Sequence, residues 1–148
     1  MSRTKNQILT KAGASAVAFA LSMFAPLVAD AQMVASEKRP LSQVVEIREG
    51  LIATGIAYEI SQVCPDIHPR LIRGAFYLAD LEQRARRMGY SKDEVDAFVG
   101  DDVQKRELER EARQRLVDLG AKPGDVEGHC TVGRIEMAAG SQIGRLLR

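Results

Sequence analysis

Residues 40–65 read PLSQVVEIREGLIATGIAYEISQVCP, and the spacing of the apolar side chains in this stretch decides the fold class. Leu41, Val44, Val45, Leu51, Ile52, Ile56, Ile60 and Val63 recur mostly three or four residues apart. That is the period of a helix with one buried face. Pro40 suits a first turn, because its fixed φ fits a helix and the N–H it lacks has no partner there. At the other end, a residue preceding proline avoids the helical region, so Cys64-Pro65 stops the pattern. The expectation is an amphipathic helix of about six turns.

The same rules carry the reading downstream. Pro65 and Pro69 punctuate a short turn, and Leu71, Ile72, Ala75, Phe76, Leu78, Ala79 and Ala85 mark a second helix closed by Gly89. A short connection predicts antiparallel pairing of these two helices. Ser91 and Glu94 have the spacing of a capping box. They open a third helix with Val95, Phe98 and Val99, stopped by Gly100. Asp101 and Asp102 start a fourth, where acids favour the positive end of the helix dipole. Its charged body, Val103 to Leu119, offers Glu109–Arg113 and Glu111–Arg115 in the favourable i, i+4 order. Gly120 ends it, Ala121 to Gly128 reads as a loop, and a last helix is expected from about His129 to Ala139. No period-2 alternation of strand length occurs from residue 32 onward. The fold expected is all-α: a small single-domain bundle of about five helices over residues 40–148.

Two readings stay open for the tail, residues 140–148. Gly133, Gly140 and Gly144 interrupt a helical pattern, and each glycine costs about 1 kcal/mol against alanine in a helix interior. Either backbones pack closely at these small residues, or the tail is not helical. Ile143, Leu146 and Leu147 then dock on the core or on a partner.

Upstream, Arg3, Lys5 and Lys11 precede an apolar run from Ala12 to Ala25, then Pro26 and Ala29-Asp30-Ala31. This three-part pattern predicts a secretory signal peptide at 1–31, cleaved between Ala31 and Gln32. The rival is an uncleaved membrane anchor. Its uncharged run, residues 12–29, is at the lower edge of spanning length and is weakened by Pro26. Cleavage takes Arg3, Lys5, Lys11 and Asp30 away, so 21 basic and 20 acidic groups become 18 and 19. The remaining domain has no basic excess, which argues against nucleic acid as a partner. No second run of membrane-spanning length follows, so no membrane attachment is expected after cleavage. Residues 32–39 are polar and are expected to be flexible.

Export places Cys64 and Cys130 in an oxidising compartment, where one intramolecular disulfide is the expected pairing. The competing reading makes one cysteine a nucleophile, with His129 or His68 as base. Adjacent helical residues point about 100° apart, which places His129 poorly for Cys130. His68, His129 and Asp66 lack metal-ligand spacing, and no Gly-rich phosphate loop or serine elbow is present. No metal, cofactor or catalytic residue is therefore assigned. Glu59 and Glu136 are the best candidates for a buried functional carboxylate, against a bland reading as solvated helix-face residues. Arg84, Arg86 and Arg87 bunch at the end of the second helix, where they stabilise the dipole or form a docking patch. Arg145, Leu146 and Leu147 join them as possible interaction residues.

The stretch from Cys130-Thr131-Val132-Gly133-Arg134-Ile135-Glu136 through Ala138-Ala139-Gly140-Ser141-Gln142-Ile143-Gly144-Arg145-Leu146-Leu147-Arg148 resembles the C-terminus of a family of small exported proteins of Gram-negative bacteria. That family is known as domain of unknown function 5333. Cys64-Pro65 and Gly89-Tyr90-Ser91 fit the same resemblance. It implies an exported, compact, mostly helical domain with paired cysteines, and it brings no activity with it. The function expected is non-enzymatic binding of another cell-envelope component in the periplasm or outside the cell. The alternatives are a small envelope enzyme using a buried carboxylate, or an inhibitor or immunity-type protein of an envelope hydrolase.

Overall fold

The computed structural model describes residues 38–148, so the signal peptide and its cleavage point at Ala31 and Gln32 lie outside the described residues. The stretch that opens the domain forms a 3-10 turn, Leu41–Gln43, and then helix α1, Val45–Val63. Val44 is extended between them and breaks what the spacing suggested was one helix. Cys64 is extended at the end of α1, as the following proline requires. Five further helices follow: α2 (Leu71–Arg87), α3 (Lys92–Gly100), α4 (Asp102–Asp118), α5 (Val126–Ala139) and the short α6 (Gln142–Arg145). The chain is all-α, with no strand among the described residues.

Side-chain caps set several helix starts. The Ser91 hydroxyl accepts from the Glu94 amide while the Ser91 amide donates to the Glu94 carboxylate, which completes the capping box of α3. Asp101 accepts from the amides of Val103 and Gln104, so it is the cap of α4 and Asp102 is the first helical residue. Asp125 accepts from the Gly128 amide at 2.9 Å. This cap starts α5 at Val126, three residues before the start expected from apolar spacing.

One stripe of α1, comprising Ile52, Ile56 and Ile60, packs against Ala112 and Leu116 of α4 and against Val132 of α5. Each buried isoleucine contributes about 1.5–3 kcal/mol relative to exposure. A smaller cluster joins Leu41 and Ile47 to Leu81 and Ala85 of α2 and Val95 of α3. The expected antiparallel pairing of α1 and α2 is present: Ile47 clusters with Ala85 and Leu81, while Gly50 faces Leu81 and Tyr77. The more extensive partner of α1 is α4, across a close approach of Gly55 to Ala112.

The disulfide joins Cys64, just past α1, to Cys130 in the second turn of α5, with Sγ–Sγ 2.03 Å and Cα–Cα 5.2 Å. Beside it the tail folds back on the α1–α2 connection. Arg148 N donates to His68 O at 2.9 Å, His68 N to Arg148 O at 2.8 Å, and Arg70 N to Leu146 O at 2.8 Å. Leu146 and Leu147 are 3% and 1% exposed. Both belong to the main core, which is the first of the two readings open for the tail. Gly140 takes a left-handed conformation (φ 62°), and the chain turns there into α6. At Gly144, the backbone of α6 lies so close to Glu136 and Met137 of α5 that a Cβ would collide with main-chain atoms.

Of the segment 32–39, Lys38 and Arg39 are described, and both are held. Lys38 donates to Gly89 O at 2.9 Å and pairs with Glu94 at 2.8 Å, and Tyr90 Oη donates to Arg39 O.

Candidate functional site

Three features offer chemistry or contact. The first is a cleft of about 560 Å³ where α1 and α2 meet the end of α4 and the α5–α6 turn. Ile52, Ile56, Leu81 and Ile143 form its apolar wall, and Glu46, Glu49, Arg84 and Arg115 stand at its rim. Arg115 grips Glu49 with both terminal nitrogens, at 2.5 and 2.6 Å, and reaches Glu111 at 3.1 Å. Arg48 pairs with the other oxygen of Glu111. This fork-to-fork geometry is what arginine supplies and lysine does not. The Arg115 hydrogen bond holds the Glu49 carboxyl below its ordinary range. Burial pushes the Tyr77 phenol, on the same cleft, upward.

Glu136 also lines this cleft and is half-buried. The Ser141 hydroxyl donates to its carboxylate and accepts from the Gly144 amide at 3.0 Å. Ser141 is thereby the cap of α6, and Glu136 orients that cap. No histidine lines the cleft to take a proton from the serine. Glu59, the other candidate carboxylate, lies on a separate hollow with His129 and Val63. His129 is buried and its Nδ1–H donates to Asp125 O at 2.7 Å, so it serves the turn before α5. The two candidate carboxylates are not brought together. Among the described residues, no group of three His, Cys, Asp or Glu side chains could hold a metal ion.

The second feature is the arginine bunch, which the fold divides. Arg84 bonds Asp80 through Nε at 2.8 Å and Glu46 through Nη1 at 2.7 Å, so it ties α2 to α1. Its carboxylate partners raise its pKa further. Arg86 and Arg87 are exposed and have no ion pair among the described residues. Arg145 donates to Gly140 O at 2.8 Å and to Gln142 at 2.7 Å, which satisfies the end of α5.

The third feature was not visible in the sequence reading. The first half of α2 turns an apolar face to solvent: Leu71, Ile72 and Phe76 are 75%, 77% and 74% exposed. Tyr77, Leu81 and Ala85 face inward instead. A signal was available. Apolar residues at 71, 72, 75, 76, 77, 78, 79 and 81 cover more of the helix circumference than one neighbour can bury. A helix of that kind leaves an apolar stripe unpartnered, and the period alone does not tell which one. Arg86 and Arg87 lie further along this outward face, at helical spacing from Ile72, Phe76 and Ala79. No described helix is long and apolar enough to cross a membrane.

Comparison with curated proteins and with solved structures returns no match. A family model, described as Family of unknown function (DUF5333), matches residues 39–148. This span contains every helix described above, the cysteine pair and the docked tail. The chain belongs to the DUF5333 family, a family of unknown function.

Proposed function

We propose that this is an exported helical protein that works by binding another component of the cell envelope, and that it is not an enzyme. The observation that carries the reading is the outward face of α2. Three large apolar side chains there are about three-quarters exposed and adjacent. Monomeric proteins rarely leave large contiguous apolar patches uncovered unless something docks on them. Export is supported by the signal-peptide pattern of residues 1–31 and by a cysteine pair suited to an oxidising compartment. Intact-mass analysis of protein recovered from the envelope fraction is expected to give a chain starting at Gln32. A chain retaining residues 1–31 contradicts cleavage.

Binding is tested with the triple variant Leu71→Ser, Ile72→Ser, Phe76→Ser in the full chain. After chemical crosslinking in the native envelope, the wild type is expected to carry a discrete adduct that the variant lacks, with its thermal midpoint preserved. The same adducts on both proteins would remove α2 from the account.

A second reading, a small hydrolase built on Glu136, draws on the Glu136–Ser141 hydrogen bond beside the cleft. It predicts envelope-substrate turnover that Glu136→Gln abolishes. The binding reading predicts no turnover in either protein.

A further inference from the structure

At the exposed stripe of α2 lies an open hollow of about 760 Å³, lined by Leu71, Ile72 and Phe76 together with Arg70, Arg73 and Arg148. Arg70 uses Nε on Leu147 O at 2.8 Å, and Arg73 directs one nitrogen at Arg145 O at 3.5 Å. None of the three arginines has a carboxylate partner among the described residues, although the other cross-helix arginines, Arg48, Arg84 and Arg115, are all paired. The sequence has no Asp or Glu between Asp66 and Asp80, and Asp80 is taken by Arg84. The side chains lining the hollow are therefore apolar and cationic, with no Asp or Glu among them, and the terminal carboxylate of Arg148 offsets one of the three guanidinium charges.

We infer that this hollow receives an acidic segment of a partner protein. Carboxylates of the segment pair with Arg70, Arg73 and Arg148, and its apolar side chains cover Leu71, Ile72 and Phe76. The inference rests on the binding reading above and names the chemistry of the partner. Two observations select this occupant. Three guanidinium groups outweigh the one terminal carboxylate of Arg148, so the complement is anionic. The cations around the hollow are all arginine, whose planar fork matches carboxylates two bonds at a time and which is enriched at protein interfaces where lysine is depleted. A second copy of this chain is disfavoured. Antiparallel pairing that stacks the two apolar patches centres near residue 74 and brings Arg73 of each copy close to Arg73 of the other, and like charges in an interface repel.

The test places a photo-crosslinking amino acid at Ala75, an exposed position on this face, in the full chain in its native envelope. Adducts are identified by mass spectrometry. The expected adduct is on an acidic protein segment. Its yield is expected to fall at least ~10-fold in Arg73→Glu/Arg148→Glu and to fall similarly in high salt. Arg73→Lys is expected to keep part of it. Circular dichroism and the thermal midpoint of the charge variants verify that they fold. An adduct whose yield survives both charge reversal and salt overturns the acidic partner while leaving binding through α2 intact. An adduct on phospholipid, or on a second copy of this chain, also overturns it. Absence of any adduct at Ala75 removes the binding reading of this face itself.

Discussion

Gly74 and Gly144 both sit in helices, yet a methyl group added at each has opposite consequences. Around Gly74 there is open space, so Gly74→Ala is expected to stabilise the protein by about 0.5–1 kcal/mol, because alanine has less backbone freedom to lose. At Gly144 the new Cβ meets the main chain of Glu136 and Met137. Backbone cannot swing aside as a side-chain end can, so Gly144→Ala is expected to cost about 1–3 kcal/mol through overpacking. Denaturant midpoints of the two variants, moving in opposite directions, check this pair. The pH response also belongs to single residues. Lys38, with help from the Ser91 amide, lowers the Glu94 carboxyl from 4.5 to about 2. Its folded-state pKa lies below the unfolded one, so its contribution is complete above about 4.5 and is lost as pH falls toward 2. An NMR titration of the Glu94 carboxyl is expected to show a low midpoint that Lys38→Met moves back toward the ordinary range. An unmoved midpoint would assign the shift to the Ser91 cap alone.

At the scale of the elements, what could be read in the sequence depended on how local the determining physics is. The Ser91–Glu94 box, the stop at Cys64-Pro65 and the Glu111–Arg115 pair involve residues within four positions of each other, and each is found as expected. Pairing of Glu109 with Arg113, equally local in sequence, is not among the ion pairs of the described residues, although the exposed i, i+4 pair Lys92–Asp96 is. α5 starts three residues before the position that apolar spacing implies, because Asp125 caps it. The tail was undecidable locally. Whether Leu146 and Leu147 meet the core or a partner depends on a ladder to residues 68–70, nearly eighty positions away in sequence. Its role is now specific: Leu147→Ala is expected to cost about 2–5 kcal/mol, the range for emptying a well-packed leucine site. Thermal unfolding measures it. A neutral result would mean that the tail is not part of the core. The candidate site was the least legible element, because burial of one stripe of α2 and exposure of another is decided by α1 and α3.

Residues 38–148 form a helical domain closed by one disulfide. The disulfide spans 66 residues of sequence and ties the end of α1 to α5 beside the docked tail. In the chain-entropy account a loop of that length contributes about 4 kcal/mol. Cys64→Ala/Cys130→Ala, or reduction, is therefore expected to lower the unfolding free energy by about that amount. A variant with unchanged stability would show that packing alone fixes the ends of these helices. The charges are distributed in the same spirit. Arginines between helices are matched to carboxylates across α1, α2 and α4, whereas those beside the exposed half of α2 are left unmatched. On the proposed reading, stability and binding draw on different arginines of one chain. Hydroxyl-radical footprinting compares the two situations directly, because Leu71, Ile72 and Phe76 all react when they face water. Modification of these three side chains is expected to be rapid in the purified domain and strongly suppressed in the native envelope, with exposed residues elsewhere unchanged. Equal modification in both settings would show that nothing covers the face, and would contradict a binding role for α2.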